Sequence, residues 1–379
     1  MNKMKNSKYN ALCIDTSIFI KNGLTLDKGL LRRLEQFKDS NIELVIPDII
    51  IEELKKHLLK KKQEKHAGLS SAIKDFIRYY DSHNDRLVDF QDMVSELIPN
   101  ESTDKSISEF IGRTGLEIIN VDDCLDVKKL MKMYFSNQPP FEETGKKKSE
   151  FPDAIALLSL DAWAEEYNKK IIAVSIDQDW LKYSEHSEHI DVIDDLSSAI
   201  SKLQSQIDPE ILLTELANML DSSSGQFYSL IKEKAEDYTN QIESQPDVNS
   251  DFEFDYDYLE ISFNDITLSH SPSNPLFLKL IQFEDDMVVV QTRVNINATA
   301  YCDFTLFHRD SIDKDYFNIG TTSESTNFDF DTDILITFTG NFENVSNIID
   351  VDIYDVEFLS SPSYISFGYI EPSYNYEPD

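Results

Sequence analysis

The sequence predicts an α/β domain built on a central parallel sheet, followed by a C-terminal all-β module. In the first half, four short apolar runs alternate with segments of helical periodicity. Strands that alternate with helices form parallel sheets covered on both faces. From residue 251 onward, apolar and polar residues alternate with a period of two, which is typical of half-buried strands.

The four apolar runs predict the strands of the sheet in chain order. They are ALCI (11–14), IELVI (42–46), KIIAVSI (170–176) and HIDVID (189–194). Apolar residues at helical spacing predict helices over 26–40 and 47–66, and FPDAIALLSLDAWAEEYN predicts another with Pro152 near its first turn.

This pattern divides the chain into three parts. Residues 1–205 are predicted to form the α/β domain, with a helical insertion over about 70–145. Residues 206–250 are expected to form a helical linker. Residues 251–379 are predicted to form an acidic β-rich domain, most simply a small sandwich.

The acidic charge is concentrated in the β-rich part. The chain carries 35 basic and 70 acidic residues, a net charge of −35. Residues 241–379 hold 27 acidic and four basic residues, so they account for −23 of that charge. Such a segment repels nucleic acid and anionic membranes. Any activity on a polyanion is therefore expected in residues 1–240.

Cysteine usage and hydropathy bear on the location of the protein. The three cysteines lie at no metal-ligand spacing, which predicts no disulfide framework and a reducing, cytoplasmic environment. No stretch approaches the roughly 18 uncharged apolar residues of a membrane span. We therefore expect a cytoplasmic protein without a membrane partner.

Acidic residues follow two of the predicted strands and open two of the helices. Asp15 ends the first apolar run, and Asp177 ends the third, with Asp179 two residues beyond. The carboxyl ends of parallel strands form the crevice in which ligands bind. Glu53 lies beside the apolar stripe of its helix, and Asp153 lies in the first turn of another. These acids are therefore expected to converge.

Crowded carboxylates repel one another unless a cation lies between them. Mg²⁺ or Mn²⁺ suits a site of carboxylates and water, and such ions support phosphodiester hydrolysis. Individually, each acid also has a structural explanation, such as a turn, a helix-dipole contact or an exposed helix face. Their joint order and their placement at strand ends favour a metal site.

Four sequence blocks resemble those of the PIN-domain nuclease family. They are IDTS, VIPDIIIEEL, EFPDAIAL and AVSIDQDW. The chain most closely resembles larger bacterial PIN-like proteins in which NQPPFEETGKKKSEFPDAIALLSL is followed by AVSIDQDW. The resemblance covers residues 8–200. It implies a three-layer α/β domain with a Mg²⁺- or Mn²⁺-dependent acidic site that cuts RNA.

The resemblance also implies roles for individual residues. The family acids fall on Asp15, Glu53, Asp153 and Asp177, and Asp179 is an additional metal ligand. Small hydroxyl positions that support these acids through hydrogen bonds fall on Ser17 and Ser175.

Basic residues next to the site acids predict contacts with substrate phosphates. GKKKSE precedes Asp153, and Lys146, Lys147 and Lys148 in it are expected to contact the phosphate backbone. The longer run KHLLKKKQEKH is more simply a solvated helix.

The sequence therefore predicts a metal-dependent endoribonuclease. Two alternatives are a structure-specific nuclease that cuts flap DNA and a regulator that binds RNA or protein without turnover. The acidic β domain is expected to bind a protein partner or to restrain the nuclease, and a role in solubility alone is an equal alternative. Assembly into a homo-oligomer is left open.

Overall fold

The chain folds into two units, Met1–Gln206 and Ile207–Asp379. The computed structural model describes residues 9–79, 85–141, 150–204, 209–220, 225–269, 278–309, 315–343 and 348–372.

A parallel sheet forms the centre of the first unit, as predicted, and it has five strands where four were predicted. Its strands are β1 (Ala11–Ile14), β2 (Glu43–Pro47), β3 (Glu117–Ile119), β4 (Ile171–Val174) and β5 (Ile190–Ile193), in the spatial order β3-β2-β1-β4-β5. Strands β1 and β4 are buried along their whole length, which is typical of parallel strands with helices on both faces. They pair directly with each other, so their carboxyl ends lie side by side.

One strand lies inside the segment predicted as a helical insertion. Strand β3 pairs with β2 and forms an edge of the sheet. It has three residues, of which two are exposed, so its apolar pattern is too short to distinguish it from a loop. The segment over 70–145 therefore supplies a sheet edge as well as helices.

Ten α-helices accompany this sheet in the described part of the first unit, together with a short 3₁₀ helix at Arg33–Phe37. They are α1 (Thr16–Lys21), α2 (Gly29–Arg32), α3 (Asp48–Tyr79), α4 (Asp85–Ser95), α5 (Pro99–Thr114), α6 (Val121–Cys124), α7 (Val127–Ser136), α8 (Phe151–Glu166), α9 (Gln178–Ser184) and α10 (Leu196–Leu203). None of the described helices is long and apolar enough to cross a membrane.

Helices α3 and α8 carry two of the predicted site acids, and the core fixes both. Ile50, Leu54 and Leu58 anchor the first turns of α3. Helix α8 is apolar on most of its surface, and eight of its residues are buried. A helix buried on several sides has little freedom to rotate or shift, because protein interiors are closely packed.

The second unit contains the predicted antiparallel β-structure. Its strands are β6 (Gln245–Asn249), β7 (Glu253–Leu268), β8 (Lys279–Phe283), β9 (Met287–Arg309), β10 (Tyr316–Asn341), β11 (Ile349–Phe358) and β12 (Tyr364–Tyr369). Five of them form one antiparallel sheet in the order β11-β10-β9-β7, with β8 also paired to β9. Strands β6 and β12 form a separate parallel pair. Ile365 of β12 packs in one apolar cluster with Ala298 and Ala300 of β9, so this pair covers part of the larger sheet.

Two helices in the region predicted as a linker pack in the core of the second unit. They are α11 (Pro209–Leu220) and α12 (Gln226–Thr239). Leu216 of α11 and Ile231 of α12 are fully buried in one apolar cluster with Val290 and Ile336 of the sheet. Helices α11 and α12 are thus part of a folded unit, because their apolar side chains cover the sheet.

Along the middle of the long strands, the other face is polar. Asn295 and Asn297 of β9 donate to Asp331 and Asp329 of β10, at 2.8 and 2.9 Å. Arg293 donates to Asp333 at 2.9 Å. This cross-strand ladder puts three aspartates in a row on one surface.

Candidate active site

Asp15 lies at the end of β1 and is only 6% exposed. It caps the first turn of α1, where its Oδ2 accepts from the backbone N–H of Ser17 at 3.3 Å. The hydroxyls of Ser17 and Ser175 donate to the same oxygen, the latter at 2.8 Å. Three donors directed at one carboxylate oxygen fix its orientation and offset the cost of burying a polar group.

Ser175 links two site acids across neighbouring strand ends. Its hydroxyl donates to Asp15 and accepts from the backbone N–H of Asp177 at 3.1 Å. Asp177 caps helix α9, and its Oδ1 accepts from the backbone N–H of Asp179 at 2.8 Å. The adjacency of β1 and β4 thus brings together acids that are more than 160 residues apart in the chain.

Glu53 reaches the same edge from the first turns of α3. Its Oε2 accepts from the hydroxyl of Thr16, which follows Asp15 directly, at 3.0 Å. Glu53 is half-buried, whereas the neighbouring Glu52 is exposed. The two glutamates therefore differ in burial because their side chains leave the helix in different directions.

Asp153, in the first turn of α8, is held by Trp180 of α9. The indole N–H of Trp180 donates to Asp153 Oδ1 at 2.9 Å, and the indole ring is fully buried. Trp180 and Thr16 lie in the sequence blocks AVSIDQDW and IDTS, but neither was predicted to hold a site acid.

These four carboxylates share one arrangement. In each, one oxygen is held by a protein donor and the other accepts no hydrogen bond from any residue in the described ranges. The held oxygens are Asp15 Oδ2, Glu53 Oε2, Asp153 Oδ1 and Asp177 Oδ1. Each acid is thereby oriented and still has an oxygen available for a ligand.

The four acids also interact electrostatically. Burial and, to a smaller extent, the charges of Asp15, Asp177 and Glu53 together raise the pKa of Asp153 to about 7, against the lowering effect of the Trp180 hydrogen bond. A carboxylate that is affected by three others shares their electrostatic environment. Asp15, Asp177 and Glu53 therefore lie near enough to Asp153 for their charges to affect it.

Not all of the predicted site residues join this group. Asp179 Oδ1 pairs with Lys182 at 3.1 Å, one turn along α9, and its charge does not contribute to the shift of Asp153. Lys146, Lys147 and Lys148 lie outside the described residues.

The donor set fits a hard divalent cation. The available atoms are carboxylate oxygens, which Mg²⁺ and Mn²⁺ prefer to softer ligands. Within the described ranges, no group of three or more His, Cys, Asp or Glu side chains is close enough to enclose a metal directly. Mg²⁺ in sites that process phosphate usually keeps several waters and takes one or two carboxylates, so such a cage is not required.

A protein-family model matches part of the chain. Residues 12–180 match the family model described as PIN domain. The matched region contains all four acids and ends at Trp180. PIN domains are generally nucleases, so the match indicates a nuclease-type domain. No curated protein and no solved structure gives a significant match to the chain.

Proposed function

We propose that the PIN domain region of residues 12–180 is a metal-dependent endoribonuclease that hydrolyses RNA phosphodiester bonds. One observation carries this proposal. Asp15, Glu53, Asp153 and Asp177 each have one oriented oxygen and one oxygen that no described residue occupies, and the charges of the other three act on Asp153.

These residues would hold Mg²⁺ or Mn²⁺ through their available oxygens. When bound there, the ion would offset the carboxylate charge and activate water for attack on phosphorus. Asp15 and Asp177 are positioned together through Ser175, Glu53 through Thr16, and Asp153 through Trp180. Such supporting hydrogen bonds keep ligand groups close to their productive geometry before the substrate arrives. Asp179 remains a secondary candidate because it already has a cationic partner.

The test uses the full chain with single-stranded RNA and flap DNA of matched sequence. We expect RNA cleavage with Mn²⁺ or Mg²⁺ and none with chelator. Asp15→Asn keeps the shape of the side chain and removes a ligand charge, so cleavage is expected to fall by at least about 100-fold, the upper end of losses seen even for supporting residues. Asp122→Asn is the matched control, since Asp122 is exposed on α6.

Three results would change the proposal. Cleavage of flap DNA in preference to RNA would make the protein a structure-specific DNA nuclease. RNA binding without cleavage in any cation would make it a binding regulator. Equal cleavage by wild type and Asp15→Asn would remove the four acids as the catalytic site.

For the acidic second unit, we infer a role in binding a basic protein partner or in regulating the nuclease. The support is its charge of −23 over residues 241–379 and the row of Asp329, Asp331 and Asp333 on one sheet face. Asp329→Asn with Asp331→Asn lowers the charge and keeps oxygen acceptors for Asn297 and Asn295. Unchanged cleavage and unchanged recovery of bound proteins from lysate would leave solubility as its role.

A further inference from the structure

The first unit has a cavity whose lining includes none of the four acids. This cavity has a volume of about 290 Å³ and is bordered by helices α7 and α9, by α8 between them and by the loop after α7. Its polar lining includes Lys129, Lys132, Gln138, Asp161 and His186. This volume is at the lower end of ligand pockets and suits one unit of a polymer.

The single carboxylate of the cavity lining is already satisfied. Asp161 accepts from the hydroxyls of Tyr183 and Ser187 at 3.2 and 2.6 Å. Lys129 Nζ lies 3.7 Å from its Oδ2. The charge of Asp161 is thus offset by its own neighbours, and it acts as part of the wall.

Two other side chains have no such partners. Lys132 is exposed on α7, and neither its ammonium group nor the amide of Gln138 pairs with any residue in the described part of the chain. A lysine without a carboxylate partner at the mouth of a cavity favours an anion, and for a nucleic acid that anion is a backbone phosphate.

His186 supplies a different kind of contact. Its Nδ1 lies 3.0 Å from the carbonyl oxygen of Lys182. A carbonyl only accepts, so Nδ1 carries the proton and Nε2 of the neutral ring is an acceptor. An acceptor at this position can receive a hydrogen bond from a ribose 2′-hydroxyl, the group that distinguishes RNA from DNA.

Helices α8 and α9 connect this cavity to the acidic site. Trp180 holds Asp153, and one turn along α9 Tyr183 holds Asp161. Asp153 and Asp161 are eight residues apart on α8, a separation of about 12 Å at 1.5 Å per residue. At about 3.4 Å between phosphates of a stacked strand, this distance corresponds to about three or four nucleotides.

Aromatic packing connects helix α7, which borders the cavity, to the start of helix α8. Tyr134 of α7 and Phe141 pack on Phe151, the first residue of α8, with ring centroids 5.2 and 5.0 Å away. The end of α7 is therefore tied to the turn that carries Asp153. An RNA strand bound in the cavity would therefore lie at a fixed distance from the four acids.

We propose that this cavity is a ribonucleotide subsite that holds the RNA strand a few nucleotides from the bond that is cut. Lys132 contacts a phosphate, and His186 Nε2 accepts from the 2′-hydroxyl of the same unit. This inference rests on the proposed function for its biological meaning, but its binding test does not require cleavage.

The test measures the affinity of the full-length protein, in chelator, for three oligonucleotides of the same sequence: RNA, 2′-O-methyl RNA and DNA. Wild type is expected to prefer RNA over both others. Lys132→Ala is expected to weaken all three alike and to lower the slope of log affinity against log salt by about 0.7. Lys60→Ala is the matched control, because Lys60 is exposed on α3 and pairs with Glu64 there.

His186→Ala is expected to reduce the preference for RNA by about fivefold, the value of one hydrogen bond, without changing DNA affinity. His186→Gln retains an acceptor and is expected to keep most of the preference. Equal affinities for RNA and DNA in wild type, or variants that match wild type, would overturn the subsite. Binding that depends on both residues without cleavage in Mn²⁺ would preserve the subsite and refute the nuclease proposal.

Discussion

The indole N–H of Trp180 donates to Asp153 Oδ1 at 2.9 Å, across 27 positions of the chain. No other residue in the described ranges donates to this carboxylate, and its pKa is raised to about 7 by burial and by three neighbouring acids. One hydrogen bond from the core thus opposes several effects that favour the protonated form. Trp180 is therefore a positioning residue for the proposed site.

Trp180→Phe removes this donor and keeps most of the buried ring. The pKa of Asp153 should rise further, because the indole hydrogen bond is the influence that lowers it. We expect cleavage at neutral pH to fall about 10- to 100-fold and the rising limb of the pH–rate profile to move to higher pH. The control is Tyr238→Phe, which removes a hydrogen bond to the carbonyl oxygen of Ser360 in the second unit. An unshifted profile would show that Trp180 acts only through packing.

Asp153→Asn tests the cost of the buried charge in metal-free protein. The pKa of Asp153 is about 7 in the folded state against 3.8 ordinarily, so the folded state holds a proton that the unfolded state releases. The stability from this proton is complete below the ordinary pKa and is lost as pH rises towards 7. Above neutral pH the variant should therefore be more stable than wild type, by up to about 4 kcal/mol. Thermal unfolding in chelator across pH measures this, and an Asn variant that is less stable at every pH would contradict it.

Glu53→Gln and Glu52→Gln form a matched pair on one helix. Glu53 is oriented by Thr16 towards the other acids, whereas Glu52 is exposed. Mn²⁺ at about 100 times its dissociation constant should stabilise wild type by about 2.7 kcal/mol. We expect this stabilisation to be much smaller in Glu53→Gln and unchanged in Glu52→Gln, as measured by thermal shift. Equal loss in both variants would indicate a general charge effect.

Ser175→Ala and Ser159→Ala compare two fully buried serines. The Ser175 hydroxyl connects Asp15 with the backbone of Asp177, whereas the Ser159 hydroxyl has no hydrogen-bond partner among the described residues. Loss of the Ser175 hydroxyl should lower the free energy of unfolding by about 1–3 kcal/mol and reduce cleavage. Loss of the Ser159 hydroxyl should leave the free energy of unfolding nearly unchanged or raise it. Denaturant unfolding and cleavage rates measure both effects. A larger loss in Ser159→Ala than in Ser175→Ala would contradict the proposed support of Asp15 by Ser175.

Leu216→Ala tests whether helix α11 belongs to the core of the second unit. Leu216 is fully buried with the sheet, so truncation should destabilise that unit by about 2–5 kcal/mol. Ile211, on the same helix, is 43% exposed, and Ile211→Ala should have a much smaller effect. Unfolding followed by circular dichroism measures both. Similar small effects would show that the helix contributes little to the fold.

The parts of the fold that were predicted correctly are those with a pattern that is local in the chain. Strands β1, β2, β4 and β5 are short apolar runs, and α8 is a long apolar segment that starts near a proline. Strand β3 is too short to give such a run. Helices α11 and α12 were predicted as a linker because the sequence does not indicate the sheet that they cover. Whether an amphipathic helix is part of a core depends on its partner, which local periodicity does not specify.

The sequence by itself determined which acids end strands β1 and β4 and which acids open helices α3 and α8. This follows because residues at element ends are set by their own neighbours in the chain. Only the tertiary structure decided that Thr16 reaches Glu53, that Trp180 reaches Asp153 and that Asp179 turns to Lys182. Side-chain directions of this kind depend on how elements pack. Packing brings together residues that are distant in the chain.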